Sequence, residues 1–472
     1  MWAFDTTFYQ IYPLGFCDAP RVNAADPAAT AGEGCENAAP AGETPAAEAP
    51  IRKIADWAGY LQGLGVGAVI LNPVFESDSH GYDTRDLTRI DHRLGANADF
   101  ADACATLHEH GIRVVLDAVL NHVGRGFWAF QDLRAHGWES RYRDWFITNF
   151  DGDSAYGDGF WYEGWEGHFE LVKLNLRNPE VVDYLLSCIR GWREEFGIDG
   201  LRLDVAYSLD HDFLRRLHGL SRELAPDGDF VLIGETLHGD YNQLVNPEML
   251  DSCTNYECYK GLYSALNSRN MFEIAHSLHR QFGPDPWCIY QGKHLLSFAD
   301  NHDVTRLASI LADPACVHPA YGVLFGMPGI PCLYYGSEWG ATGEKGARDD
   351  FDLRPSFAAP EPNGLTDFIA HLITVRGGHA EGVAVEDAVR AGRALCYGGY
   401  RNVHIASEQL LFERPCGGAS VLVAVNAASS PVTVRVGELS GAFIDLLDDG
   451  ASVDFDGSLE LAPYDVRYLL RV

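Results

Sequence analysis

Residues 197–210, GIDGLRLDVAYSLD, hold the stretch on which the fold turns. Side chains alternate along a β-strand, so Arg202 and Asp204 share one face and Leu201 and Leu203 the other. An apolar strand that carries a charge in its middle and ends on an acid suits a buried strand with something to do at its C-terminal end. A single strand-ending Asp is also a favoured cap for the next helix. A functional reading therefore needs further acids in the same kind of place.

Working outward, short strand-like runs recur, each followed by a helical stretch: FYQIYP (8–13), GVGAVILNP (65–73), GIRVVLDAV (111–119), IDGLRLDV (198–205), FVLIGE (230–235), HLLSFAD (294–300) and GIPCLYYG (329–336). A weaker eighth, DSCTNYECY (251–259), falls sixth in order. NADFADACATLHEHG (97–111) shows the helical period and ends in Gly. Alternating strands and helices predict a parallel sheet, and eight such units close into a (β/α)8 TIM barrel. Asp204 and Glu235 are one βα unit apart, whereas the stretch between Asp117 and Asp204 is far too long for one. The excess, rich in aromatics and Gly, predicts an inserted domain after strand 3. Residues 17–50 read as a long irregular loop. After about residue 386 the helical period gives way to alternating segments such as ASVLVAVNAASSPVTVRVG (419–437), which predict an antiparallel β-sandwich. The expected division is barrel over 1–122, insertion over 123–175, barrel again over 176–386 and sandwich over 387–472.

The chain has 472 residues with 67 Asp and Glu against 35 Lys and Arg, a formal charge of −32. Such a field repels nucleic acid and anionic membranes, and a neutral ligand is the easier expectation. The 11 cysteines are scattered with no C-x-x-C pair, signalling neither zinc nor a disulfide framework. No secretory signal and no membrane-spanning apolar run is legible, so a cytoplasmic location is expected.

Three acids stand where a barrel keeps its reactive groups, at the C-terminal ends of strands 4, 5 and 7: Asp204, Glu235 and Asp303. Two carboxylates flanking one bond are what glycoside hydrolysis requires. Arg202 beside Asp204 favours an ionised nucleophile, leaving Glu235 to hold and return the proton.

The chain resembles the α-amylase family, glycoside hydrolase family 13, through DAVLNH (117–122), GLRLDVAYS (200–208), LIGETLH (232–238) and FADNHD (298–303), in that order. FYQIYP, HGYDT (80–84) and PGIPCLYYGSEWG (328–340) resemble further strand regions of that family. The resemblance implies Asp204 as nucleophile, Glu235 as general acid/base and Asp303 as the acid that fixes sugar hydroxyls. It implies that His122 and His302 donate to the innermost sugar, that Tyr82 stacks on its ring, and that Asp350 and Arg354 bind the next sugar. Asp117 is expected to orient Arg202.

LVKLN (171–175) is similar to the M-P-K-L-N stretch of the neopullulanase and cyclomaltodextrinase branch, with Val172 in place of proline. That branch carries Trp where this chain has Leu237, on the leaving-group side, and an N-terminal β-sandwich where strand 1 here begins near Phe8. Monomer and homodimer both stay open. Phe160, Trp161, Tyr162 and Trp165 of the insertion are candidate stacking platforms or the insertion's own core. No cofactor is required. Asn121 resembles a calcium ligand of some members, but Lys173 stands where many of those have an acid. The implied activity is retaining hydrolysis of α-1,4 or α-1,6 bonds in short or cyclic maltodextrins. The alternatives are transfer of the same intermediate to a sugar or phosphate, or a non-catalytic relative, against which the three acids speak.

Overall fold

The computed structural model describes residues 1–23, 49–346, 349–437 and 439–472. Most of the loop expected over 17–50 lies outside the described residues. Eight strands form one sheet: β1 (Phe8–Ile11), β2 (Ala68–Leu71), β3 (Arg113–Ala118), β4 (Gly200–Leu203), β5 (Val231–Gly234), β6 (Ser252–Cys253), β7 (Leu296–Phe298) and β8 (Ile330–Tyr334). Their order is β6-β5-β4-β3-β2-β1-β8-β7. Just past β6, Thr254 bridges Leu296 of β7 in parallel, which completes the cyclic order of a barrel. The weak sixth strand is short because its ladder stops at Cys253 and helix Tyr256–Ser268 begins, capped by Asn255. By contacts the chain divides into two compact units, 1–10 with 60–69 and 236–472, and 11–59 with 70–235.

In the second unit β4 pairs in parallel with both β3 and β5, with Arg202 opposite Asp117 and Leu203 opposite Gly234. Close packing sets the register: a Cβ on Gly200 would lie 2.5 Å from the Val231 carbonyl oxygen. The ladder runs past the strand ends, since Asp204 N–H donates to Ala118 and Glu235 N–H to Leu203, at 3.2 and 2.9 Å. Asp204 and Glu235 are thus neighbours by backbone hydrogen bonding, one rung beyond β4 and β5.

The inserted segment has helix Trp128–His136 and a small antiparallel sheet in which His168–Lys173 pairs with His122–Gly124 and with Gly164–Trp165. Phe160 and Tyr162 are buried with Phe130 as its aromatic core, which removes both from the candidate platforms.

In the first unit, six strands between Arg401 and Arg471 form one antiparallel sheet and Val432–Arg435 pairs with Ser458–Leu461 in a second. Leu411, Leu422, Val434, Phe443, Leu461 and Leu469 pack between them, a β-sandwich core. The helical pattern does not end at 386, as its fading had implied. Helix Val385–Tyr397 crosses that point, and strands begin at Arg401. Its buried face is largely Ala388, Ala391, Gly392 and Ala394, too small to stand out as an apolar stripe.

Glu338, just past β8, is wholly buried and accepts from the Tyr9 and Tyr60 hydroxyls at 2.6 and 2.9 Å, both on Oε1. Oε2 has no partner. Burial pushes this carboxyl up to about 7 from an ordinary 4.5, against the pull of the Tyr9 hydrogen bond. The folded state keeps the proton to higher pH than the unfolded chain. The stability this contributes is therefore full below about pH 4.5 and lost as pH rises through about 7, by roughly 3 kcal/mol. Glu338→Gln, neutral throughout, should flatten that loss: between pH 5 and 8 its melting temperature should fall less than the parent's. Parallel melting profiles would contradict this.

Candidate active site

One buried guanidinium organises the acids of the second unit. Arg202 Nη1 donates to both Asp117 oxygens, at 2.7 and 2.8 Å, and to Asp204 Oδ1 at 3.0 Å, while Nη2 meets Glu235 Oε1 at 2.8 Å. All four side chains are buried. Burial works against the Arg202 charge, but attraction from Asp117 and then Glu235 outweighs it and raises its pKa further. Asp117 also accepts from Asn72 Nδ2 and the Tyr82 hydroxyl, at 2.9 and 3.0 Å, which anchors Tyr82 beside Arg202. The contact of Arg202 with Glu235 was not foreseen.

Val205 was missed as well. This β-branched residue sits at φ 40°, a left-handed conformation that such side chains rarely adopt. The strained turn aims its N–H at Glu235 Oε2, 3.1 Å away. Strain of this kind collects at functional sites.

His122 Nε2 lies 3.9 Å from Asp204 Oδ2 and has no hydrogen-bond partner among the described residues. Burial, aided by His80, pushes this imidazole down to about 3, so it is neutral at neutral pH. The Trp165 ring lies 5.9 Å from the His122 ring, tilted by 31°.

The first unit holds a second cluster past β7. The Gln10 amide of β1 donates to His302 Nδ1 at 3.0 Å, leaving His302 Nε2–H for Asp303 Oδ2, also at 3.0 Å. Arg354 Nη2 reaches Asp303 Oδ1 at 3.0 Å and Asp350 at 3.8 Å. Lys345 Nζ donates to the Asp303 carbonyl at 2.8 Å. Asp303, Arg354 and Asp350 thus form one connected set, and Leu237 is exposed. Gln10 and Asn72, each on or just past a barrel strand, carried no charge to single them out in the sequence.

The calcium donor set does not fit. Asn121 Oδ1 is buried without a partner among the described residues, but the adjoining strand brings Lys173, whose ammonium pairs with Glu163 at 2.7 Å. Calcium takes six to eight oxygens, and a lysine is no substitute for an acid among them. Elsewhere Glu76, Asp91 and His92 come together, but Asn23, Arg93 and His92 already satisfy the two acids. In the His279–Asp285–Cys288 group, His279 Nε2 and Asp285 Oδ2 are already hydrogen-bonded to each other at 2.8 Å.

The family model described as "Alpha amylase, catalytic domain" matches residues 10–364. The chain belongs to the α-amylase family. It is a glycoside hydrolase of that family, built on its (β/α)8 barrel. A cyclomaltodextrinase of Thermoanaerobacter pseudethanolicus is 29% identical over 464 residues, 93% of this chain and 73% of that one. An intracellular maltogenic amylase of Bacillus subtilis is 32% identical over 354 residues, but the match spans only 57% of its length and 73% of this chain. Among solved structures, the cyclic α-maltosyl-(1→6)-maltose hydrolase from Arthrobacter globiformis, in complex with cyclic α-maltosyl-(1→6)-maltose, matches with a TM-score of 0.78. It is 27% identical, and 99% of each chain is covered. Among the described residues, no helix is long and apolar enough to cross a membrane.

Proposed function

We propose that this α-amylase-family member hydrolyses α-1,4 or α-1,6 bonds of short or cyclic maltodextrins with retention, in the cytoplasm, as a monomer or homodimer. Asp204 attacks the anomeric carbon, Glu235 protonates the leaving oxygen and then activates water, and Asp303 fixes sugar hydroxyls. Tyr82, His122 and His302 hold the innermost sugar, and Asp350 and Arg354 the next. The observation that carries this is the sharing of Arg202 by Asp204 and Glu235, one rung past neighbouring strands. Parallel strands lie about 4.8 Å apart, close to the separation of about 5–5.5 Å that double displacement needs and short of the inverting range. Glu235, ion-paired in the free protein, takes up a proton from solvent as it leaves Arg202 to meet the leaving oxygen, and Asp117 keeps the guanidinium in place meanwhile.

Substrate size follows from the leaving-group side. Leu237 is exposed and offers no aromatic face, where one stacking contact contributes about 0.5–1.5 kcal/mol. Long linear chains lose that grip, and bent or cyclic acceptor halves gain room. On a panel of linear and cyclic α-glucans, kcat/KM for cyclomaltodextrins and maltotriose should exceed that for soluble starch several-fold, per reducing end released. Equal or better specificity on starch would refute the size preference. Inactivity on every α-glucan would refute the function.

A further inference from the structure

The hairpin of the inserted segment carries a residue that no step above uses. Trp165 and His168 flank a two-residue turn, Glu166-Gly167, with φ +48° and +90°. Two positive φ values mark a type I′ turn, for which Gly, Asn and Asp are the usual residues. Glutamate in that conformation is disfavoured. Here the Glu166 carboxylate accepts from the Tyr207 hydroxyl at 3.1 Å. Tyr207 lies three residues beyond Asp204, in the short turn Ala206–Ser208 that follows left-handed Val205. One side-chain bond thus ties the hairpin tip to the turn after Asp204.

Trp165 stacks on His168, with centroids 5.6 Å apart at 22°, and its ring also lies 5.9 Å from that of His122. Its Nε1–H is buried without a partner among the described residues, and so is Nε2 of His122. A buried polar atom without a partner forfeits its hydrogen bond to water, and native structures tolerate few of them without a reason. Stacking alone asks only for an aromatic ring. Trp165 thus carries an unsatisfied N–H on a ring packed against that of His122, whose own unsatisfied Nε2 lies 3.9 Å from Asp204, and a ligand hydroxyl is the group that supplies what Nε1–H lacks.

We propose that Trp165 is a substrate-binding residue whose Nε1–H donates to a hydroxyl oxygen of the glucosyl unit held by His122, with Glu166 and Tyr207 positioning it through the hairpin tip. This rests on the α-glucan reading above.

The test pairs kinetics on maltotriose with calorimetric binding of maltotriose in the D204N background, which separates affinity from turnover. Trp165→Phe keeps the ring and removes the donor. It should raise both KM and the dissociation constant about tenfold with kcat changed less than about twofold, as for loss of one hydrogen bond. Glu166→Ala should raise KM several-fold, and Glu166→Gln, which still accepts from Tyr207, should restore it. A parent that binds and hydrolyses maltotriose while W165F matches it in KM and affinity overturns this inference alone. A parent that neither binds nor hydrolyses maltotriose overturns it together with the α-glucan reading.

Discussion

Asp204→Asn should yield a folded protein of near-parental melting temperature whose kcat on maltotriose is lower by about a thousandfold or more. The substitution is nearly isosteric. Arg202 keeps two bonds to Asp117 and its ion pair with Glu235, so no buried charge is stranded. What disappears is the carboxylate oxygen proposed to attack, 3.9 Å from His122 Nε2. Asparagine cannot form the glycosyl ester, and the remaining binding groups cannot replace a covalent step. A purified, folded variant with a tenth of the parental rate would remove Asp204 from the nucleophile's role.

Arg202→Met has the opposite signature, because it removes the cation from among three buried acids. Asp117, Asp204 and Glu235 all bond to Arg202, and breaking a buried pair by deleting one partner typically costs about 3–5 kcal/mol. We expect a several-degree drop in melting temperature together with loss of activity. Urea denaturation of parent and variant at pH 7 measures the gap. A variant as stable as the parent would show that Arg202 is not the shared counter-ion.

Much of this framework is legible in the sequence because barrel strands announce themselves. AVIL in β2 and VLIG in β5 are continuous apolar runs, as strands buried on both faces must be, and Glu235 follows the second directly. The short β6 was legible as the weak run 251–259, which contains it. Helix Val385–Tyr397 was lost because alanine and glycine form its buried face. Long-range polar contacts were out of reach. Gln10 meets His302 across 292 residues, and neither carries a local signal of the other. Val205 reads as an ordinary apolar residue, and only its left-handed φ reveals that the turn after Asp204 is strained toward Glu235. Of the four aromatics proposed in the insertion, burial sorts them: Phe160 and Tyr162 fill its core, and Trp165 meets His122.

The central claim is that Asp204 and Glu235 stand at the separation of a double displacement. Proton NMR of the first turnovers on maltotriose tests it most directly, since each displacement inverts the anomeric carbon once. The account requires the newly formed reducing end to emerge as the α-anomer, with β-anomer growing in only as mutarotation proceeds. An initial β-anomer signal would mean direct attack by water and would contradict the account.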